Sequence, residues 1–192
     1  MTANGNNDRA GINLLSDVHR HTSYGPLKRA LVKVGMEENF HLRHGEAWMK
    51  KLCEAGGEGR ELVQRAVDWM FPMGVEWFGM PDDRKTHNAQ LDFKLKGMTN
   101  AQLRNTWMKA VVPLCESLGL DVPAHSVDDT GEVELEYELP CAWDADERVW
   151  MLEETITWDQ VWDRWRERGP MNEEFVNSIR TSRAATEKML AA

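Results

Sequence analysis

The chain has 192 residues, with 23 basic and 32 acidic side chains and a net charge of −9. That length fits one domain with a sizeable core, and an acidic chain without a basic run argues against nucleic acid and anionic membrane as main partners. Cys53, Cys115 and Cys141 lack metal-type spacing and read as reduced thiols of a cytoplasmic protein, no apolar run approaches the ~20 residues of a membrane span, and the N-terminus lacks a signal-peptide core.

Residues 1–7 read as a disordered start, followed by a short amphipathic segment from Asp8 to His21 with Ile12, Leu15 and Val18 on one side. Tyr24-Gly25-Pro26 is a turn, and Pro26 suits the first turn of the next helix. That helix is expected over about Pro26–Glu54, with Gly56-Gly57 as its stop. A second long helix is expected over about Gly59–Glu76, with Leu62, Ala66, Trp69 and Met73 inward and a kink at Pro72. Phe78 to Asp83 is a loop, and residues 84–97 are mixed. Thr99-Asn100 caps a helix over about Ala101–Leu118 that stops at Gly119, and Pro113 is expected to break its last turn. After a turn at Asp128-Asp129-Thr130-Gly131, strict alternation of Val133, Leu135, Tyr137 and Leu139 with glutamates predicts a half-buried strand with no obvious partner. Thr157-x-x-Gln160 resembles a capping box. Trp158, Trp162 and Trp165 follow at helical spacing, Gly169-Pro170 ends that helix, and a polar helix is expected over about Asn172–Leu190.

The chemistry concentrates on the long helix from Leu27 to Leu52. Leu27, Leu31, Val34, Glu38, His41, Gly45, Trp48 and Leu52 recur in steps of 3 and 4, so all share one face. A carboxylate and an imidazole in the middle of an inward stripe need partners, because burying an unpartnered carboxylate costs roughly several kcal/mol. A metal ion is one such partner, and Glu-x-x-His directed inward is the donor pattern of di-iron helical bundles. A Glu–His hydrogen bond at a helix seam, or an arginine from a neighbouring helix, would also satisfy the pair. A zinc set of Glu37, His41 and His44 fits helical geometry too, although structural zinc usually draws ligands from more than one element.

A di-iron site needs about four carboxylates and two histidines from four helices. Asp8 lies on the stripe Asp8, Ile12, Leu15 and is a third candidate, although an aspartate just before an apolar helix is also an ordinary N-cap. No second inward Glu-x-x-His exists in the chain, so it holds half of such a site at most. Lys94, Lys96 and Asn100 could face an anionic ligand or form a solvated basic rim. The tryptophan stripe reads as core or a docking surface rather than a cofactor box.

Several short motifs carry a resemblance. Ser23-Tyr24-Gly25-Pro26 and Glu37-Glu38-Asn39-Phe40-His41-x-Arg43-x-Gly45 come first, then Trp69-Met70-Phe71-Pro72 and Phe78-Gly79-x-Pro81-Asp82-Asp83. Asn88-Ala89-Gln90, Lys94-Leu95-Lys96, Asn100-x-x-Leu103-Arg104 and Pro113-x-x-x-x-Leu118-Gly119-Leu120 follow, and Trp158, Trp162 and Gly169-Pro170-x-Asn172 close the series. In this order, over roughly residues 8–175, the chain resembles the catalytic oxygenase subunit of ring-1,2-phenylacetyl-CoA epoxidase.

The resemblance implies an all-α, ferritin-like bundle, here about half of the four-helix core, with C-terminal helices and a short strand or hairpin insert. The expected divisions are the N-terminus at 1–7, the ferritin-like region at 8–120, the acidic insert at 121–156 and the C-terminal helices at 157–192. It further implies a di-iron centre, incomplete in this chain, that activates dioxygen and epoxidises the aromatic ring of phenylacetyl-CoA. Glu38, His41 and Asp8 become iron ligands, with Glu38 and Asp8 at the catalytic centre. The aspartate assignment needs a one-residue shift, since strict alignment from Tyr24 lands on Arg9. Lys96 and Asn100 match positions that contact coenzyme A, whose phosphates suit a lysine ammonium. The implied partners are a related structural subunit, a flavin/iron–sulfur reductase and an aryl-CoA substrate, in an oligomer. Two departures stand out: the family's N-terminal half has no counterpart here, and residues 124–155 are longer and more acidic. The competing readings are a truncated, non-catalytic paralogue acting as scaffold, and a mononuclear metal protein using the Glu38/His41 face.

Overall fold

The computed structural model describes residues 4–84, 88–127, 131–167, 175–183 and 189, and of residues 4–8 and 84 only the backbone. It divides into two compact units, Met1–Thr155 and Ile156–Ala192. The first holds helices α1 (Asn4–His21), α2 (Gly25–Ala55), α3 (Gly57–Trp77), the short α4 (Ala89–Asp92) and α5 (Asn100–Ser117). Strands β1 (Ala124–Val127), β2 (Glu132–Leu135), β3 (Cys141–Asp144) and β4 (Val149–Thr155) follow as two antiparallel hairpins. This is the mainly helical, ferritin-like arrangement the resemblance implies, with the hairpins as its insert.

Local signals set most helix ends. Gly56 and Gly57 take φ of +69° and +53°, a left-handed pair that turns α2 directly into α3. Thr99 accepts from the Gln102 amide (3.1 Å) while the Gln102 side chain accepts from the Thr99 amide (2.8 Å), a complete capping box at the start of α5. The expected break at Pro113 does not occur, because α5 continues to Ser117 with Val111, Val112 and Cys115 fully buried around it. α3 likewise runs through Pro72 to Trp77.

The core lies between α3 and α5. Trp107 and Phe71 are 0 % exposed, with ring centroids 5.3 Å apart. Gly74 lets the indole approach α3, since a Cβ there would lie 2.9 Å from Trp107 Cζ2. Val63, Val67, Met70, Phe71 and Val75 form the inward face of α3, which corrects the expected one: Leu62 and Trp69 are exposed. α3 is apolar on two adjacent stripes, and packing against Trp107 chose between them.

The half-buried strand has its partner in β1, with Ala124 opposite Leu135 and Ser126 opposite Val133. β2 ends at Leu135, so the expected strand is shorter than its alternation. Lys109 Nζ reaches Glu132 Oε1 (2.5 Å) and ties β2 to α5. The second hairpin was not foreseeable from the sequence beyond the general expectation of an insert. Its Trp143 and Trp150 pair across the strands, and Trp150 Nε1 donates to the Trp69 carbonyl (2.8 Å).

The second unit contains α6 (Trp158–Arg166), opened by the Thr157/Gln160 capping box. Trp158, Trp162 and Trp165 form a row of ring contacts along it, at 5.7 and 4.9 Å. Residues 175–183 are also helical. The Asp128–Thr130 part of the expected turn, Gly169-Pro170, and both expected ends of the last helix lie outside the described residues.

Candidate functional site

α1 packs along α2, and the two helices enclose a cleft of about 510 Å³. Its walls include Ile12, Leu15 and His19 from α1 and Leu31, Met36 and Glu38 from α2. Glu38 is half-buried there, and α1 passes beside its carboxylate at Gly11, whose Cβ position lies 4.0 Å from Glu38 Oε2. No hydrogen bond or ion pair holds Glu38 among the described residues. A part-desolvated carboxylate with an open side is a fit for a cation.

The expected inward stripe of α2 needs correction. The buried residues are Leu31, Gly45, Met49 and Cys53, with Val34, Glu38 and Leu42 half-buried between them. His41 is exposed, as are Leu27 and Trp48. The packed face is therefore rotated by part of a turn from the stripe expected between Leu27 and Leu52, and His41 falls on its edge. Phe40, His41, His44 and Trp48 form a row of ring contacts along the outer side, with centroids 6.2 to 6.4 Å apart. Met36 and Phe40 are 65 % and 70 % exposed, so an apolar strip lies open there.

Asp8 is not an N-cap. α1 begins at Asn4, so Asp8 already lies inside the helix, one turn before Gly11 and Ile12, which border Glu38. Arg9, the strict-alignment alternative, forms an ion pair with Glu46 of α2. The side chain of Asp8 is outside the described residues. Among the described residues no three His, Cys, Asp or Glu side chains are gathered as a metal-binding group, the Glu37/His41/His44 set included. The first unit thus places Glu38 and His41 on one stretch of α2 and Asp8 on the neighbouring helix α1.

Lys96 and Asn100 are brought together at the start of α5. Lys96 Nζ donates to Asn100 Oδ1, and Lys96 is 5 % exposed. That overturns the solvated-rim reading for Lys96, although Lys94 is exposed. The connecting loop is tied to the end of α1. Ser23 N donates to the Lys94 carbonyl (2.9 Å), while Gly97 N (2.9 Å) and Met98 N (3.1 Å) donate to Asp17 Oδ2. Asp17 is 1 % exposed. Sequence reasoning missed it, because its partners are backbone amides 80 residues away and no spacing announces them.

A second buried polar group closes the far end of α3. Arg104 Nε donates to the Val75 carbonyl (2.9 Å) and its Nη2 to the Gly79 carbonyl. Burial lowers the Arg104 pKa, opposed by Tyr137 and Asp82 nearby. This arginine caps carbonyls that a helix end leaves open and has a structural role.

A family model described as phenylacetic acid catabolic protein matches residues 2–140. The chain is also similar to one subunit of the 1,2-phenylacetyl-CoA epoxidase of Escherichia coli (strain K12), with 36% identity over 103 residues. That match takes in 53% of this chain and 33% of the relative, so the chain spans about a third of the length of the curated relative it matches.

Proposed function

Because the chain belongs to the phenylacetic acid catabolic protein family, we propose that it is part of a cytoplasmic, multisubunit di-iron oxygenase that epoxidises the ring of phenylacetyl-CoA. The observation that carries this reading is Glu38: a half-buried carboxylate without a partner among the described residues, beside Gly11, on the helix with His41. Glu38 and His41 would hold iron, and Asp8 would add a ligand from the facing helix. Iron, when bound, supplies the reductive activation of dioxygen that an aromatic ring requires.

The chain's own residues do the rest. Ile12, Leu15 and Leu31 give the cleft beside Glu38 an apolar wall, which suits an aryl group. Lys96, pre-positioned by Asn100, would bind a phosphate of the coenzyme A portion and fix the thioester relative to the metal. The exposed Met36, Phe40 and Trp48 on α2 support assembly with further subunits. Those subunits would complete the donor set, and a flavin/iron–sulfur reductase would supply electrons. No helix among the described residues is long and apolar enough to cross a membrane.

The test is iron retention and turnover with subunits that complete the complex. The wild-type chain keeps iron through desalting, and Glu38→Ala loses both iron and phenylacetyl-CoA oxidation. A Glu38→Ala variant with full iron content and turnover overturns the ligand assignment. An iron-free wild-type complex points instead to a non-catalytic scaffold.

A further inference from the structure

We infer that Asp17 is a positioning residue for coenzyme A binding, acting through the loop that carries Lys96; the inference rests on reading Lys96 and Asn100 as the coenzyme A contacts. Residues 93–98 connect α4 to α5 without regular secondary structure. Lys96 sits between two ties. Ser23 holds the loop upstream, through the Lys94 carbonyl (2.9 Å) and the Phe93 carbonyl (3.3 Å from Ser23 Oγ). Asp17 holds it downstream, with Oδ2 accepting from two successive amides, Gly97 N and Met98 N.

Two amides converging on one buried carboxylate oxygen fix the orientation of both peptide planes, and charge-assisted bonds of this kind are stronger than neutral ones. The peptide next to Lys96 is thereby set, and so is the direction in which its side chain leaves the backbone toward Asn100. His21 completes the clamp. Its ring lies against Gly97, where any Cβ would collide with it. His21 Nδ1 is 3.0 Å from the Asp17 carbonyl and 2.9 Å from Asp17 Oδ1. The ring nitrogen is aligned with the carbonyl, so Oδ1 has no hydrogen-bond partner among the described residues. A loop ordered before the ligand arrives loses less conformational freedom on binding, which raises affinity without a direct contact.

The test titrates coenzyme A into the purified 192-residue chain by calorimetry, at a temperature where every variant is folded. Lys96→Ala reports on the underlying reading and is expected to weaken binding at least about ten-fold. Asp17→Ala is expected to weaken it by a similar factor and to speed hydrogen exchange at the Gly97 and Met98 amides. Asp17→Asn, which keeps an oxygen for both amides, stays within about three-fold of wild type. Gly97→Ala displaces the loop while keeping the carboxylate, and serves if Asp17→Ala does not fold; it too weakens binding. If Lys96→Ala weakens binding while Asp17→Ala and Gly97→Ala bind as wild type, the positioning role is wrong and the coenzyme A reading stands. If Lys96→Ala itself binds as wild type, or the wild-type chain binds no coenzyme A, the reading falls and takes the inference with it. A purely structural Asp17 would lower the melting temperature and leave the affinity of the folded protein unchanged.

Discussion

The seam between α3 and α5 and the outer side of α2 are both rich in aromatic and apolar residues, yet one is closed and the other open. Trp107, Phe71 and Val75 are fully buried, and a glycine makes room for the indole. On α2, Met36, Phe40 and Trp48 stand in solvent beside Glu38 and His41. The difference teaches that apolar composition does not identify the core. The α3–α5 seam has opposing shapes that fill it, whereas on the α2 strip Met36 and Phe40 border the cleft shared with α1 and stay largely in solvent. Candidate ligands sit at the boundary of the open surface, where a further protein element can still reach them.

The largest effect that sharpens this contrast comes from Trp107→Ala. Removing a fully buried indole that contacts Phe71, Phe78 and Gly74 should cost about 3–5 kcal/mol in chemical denaturation. A loss below about 1 kcal/mol would mean that this seam is not the centre of stability.

Cys115 probes the same dry region through pH. Burial pushes its thiol up to about 12, with Cys53 and Glu116 adding to the shift. A folded pKa above the unfolded value favours the native state fully below the unfolded thiol's pKa, and that advantage is lost as pH rises toward the folded value. Between about pH 9 and 12 the wild-type chain should lose stability by about 1 kcal/mol per pH unit more than Cys115→Ala. Equal slopes for the two proteins would show that the thiol is not held in a low-dielectric core.

The smallest expected effect lies on the open side. Phe40→Ser on α2 should change the stability of the isolated chain by no more than about 0.5 kcal/mol. A loss comparable with that of Trp107→Ala would break the comparison, because it would show the α2 strip to be covered even without further subunits.

Parts of this structure were legible from short-range chemistry. The capping boxes at Thr99 and Thr157, the Gly56-Gly57 stop and the Glu38/His41 spacing all involve residues within four positions of each other. Three features were not. The inward phase of α3 was misread because Leu62 and Val63 are both apolar, and periodicity cannot rank two adjacent apolar stripes. The β3–β4 hairpin was not specified because its turn reaches positive φ at Arg148 rather than at a glycine, so the usual turn signal is missing. Asp17 was invisible because backbone amides carry no sequence identity.

The sequence by itself determined the glycine stop after α2 and the capping boxes that open α5 and α6, that a carboxylate and an imidazole share one stretch of α2, and, through its ordered motifs, the family. These are local properties, fixed by dihedral preference and by spacing of three or four residues. Only the tertiary structure decided which face of each helix is inside, that His41 lies at an edge while Glu38 lines a cleft, and that Lys96 is buried within a loop clamped by Asp17. Those outcomes depend on which surfaces meet, and that is set by shape and burial between segments far apart in the chain.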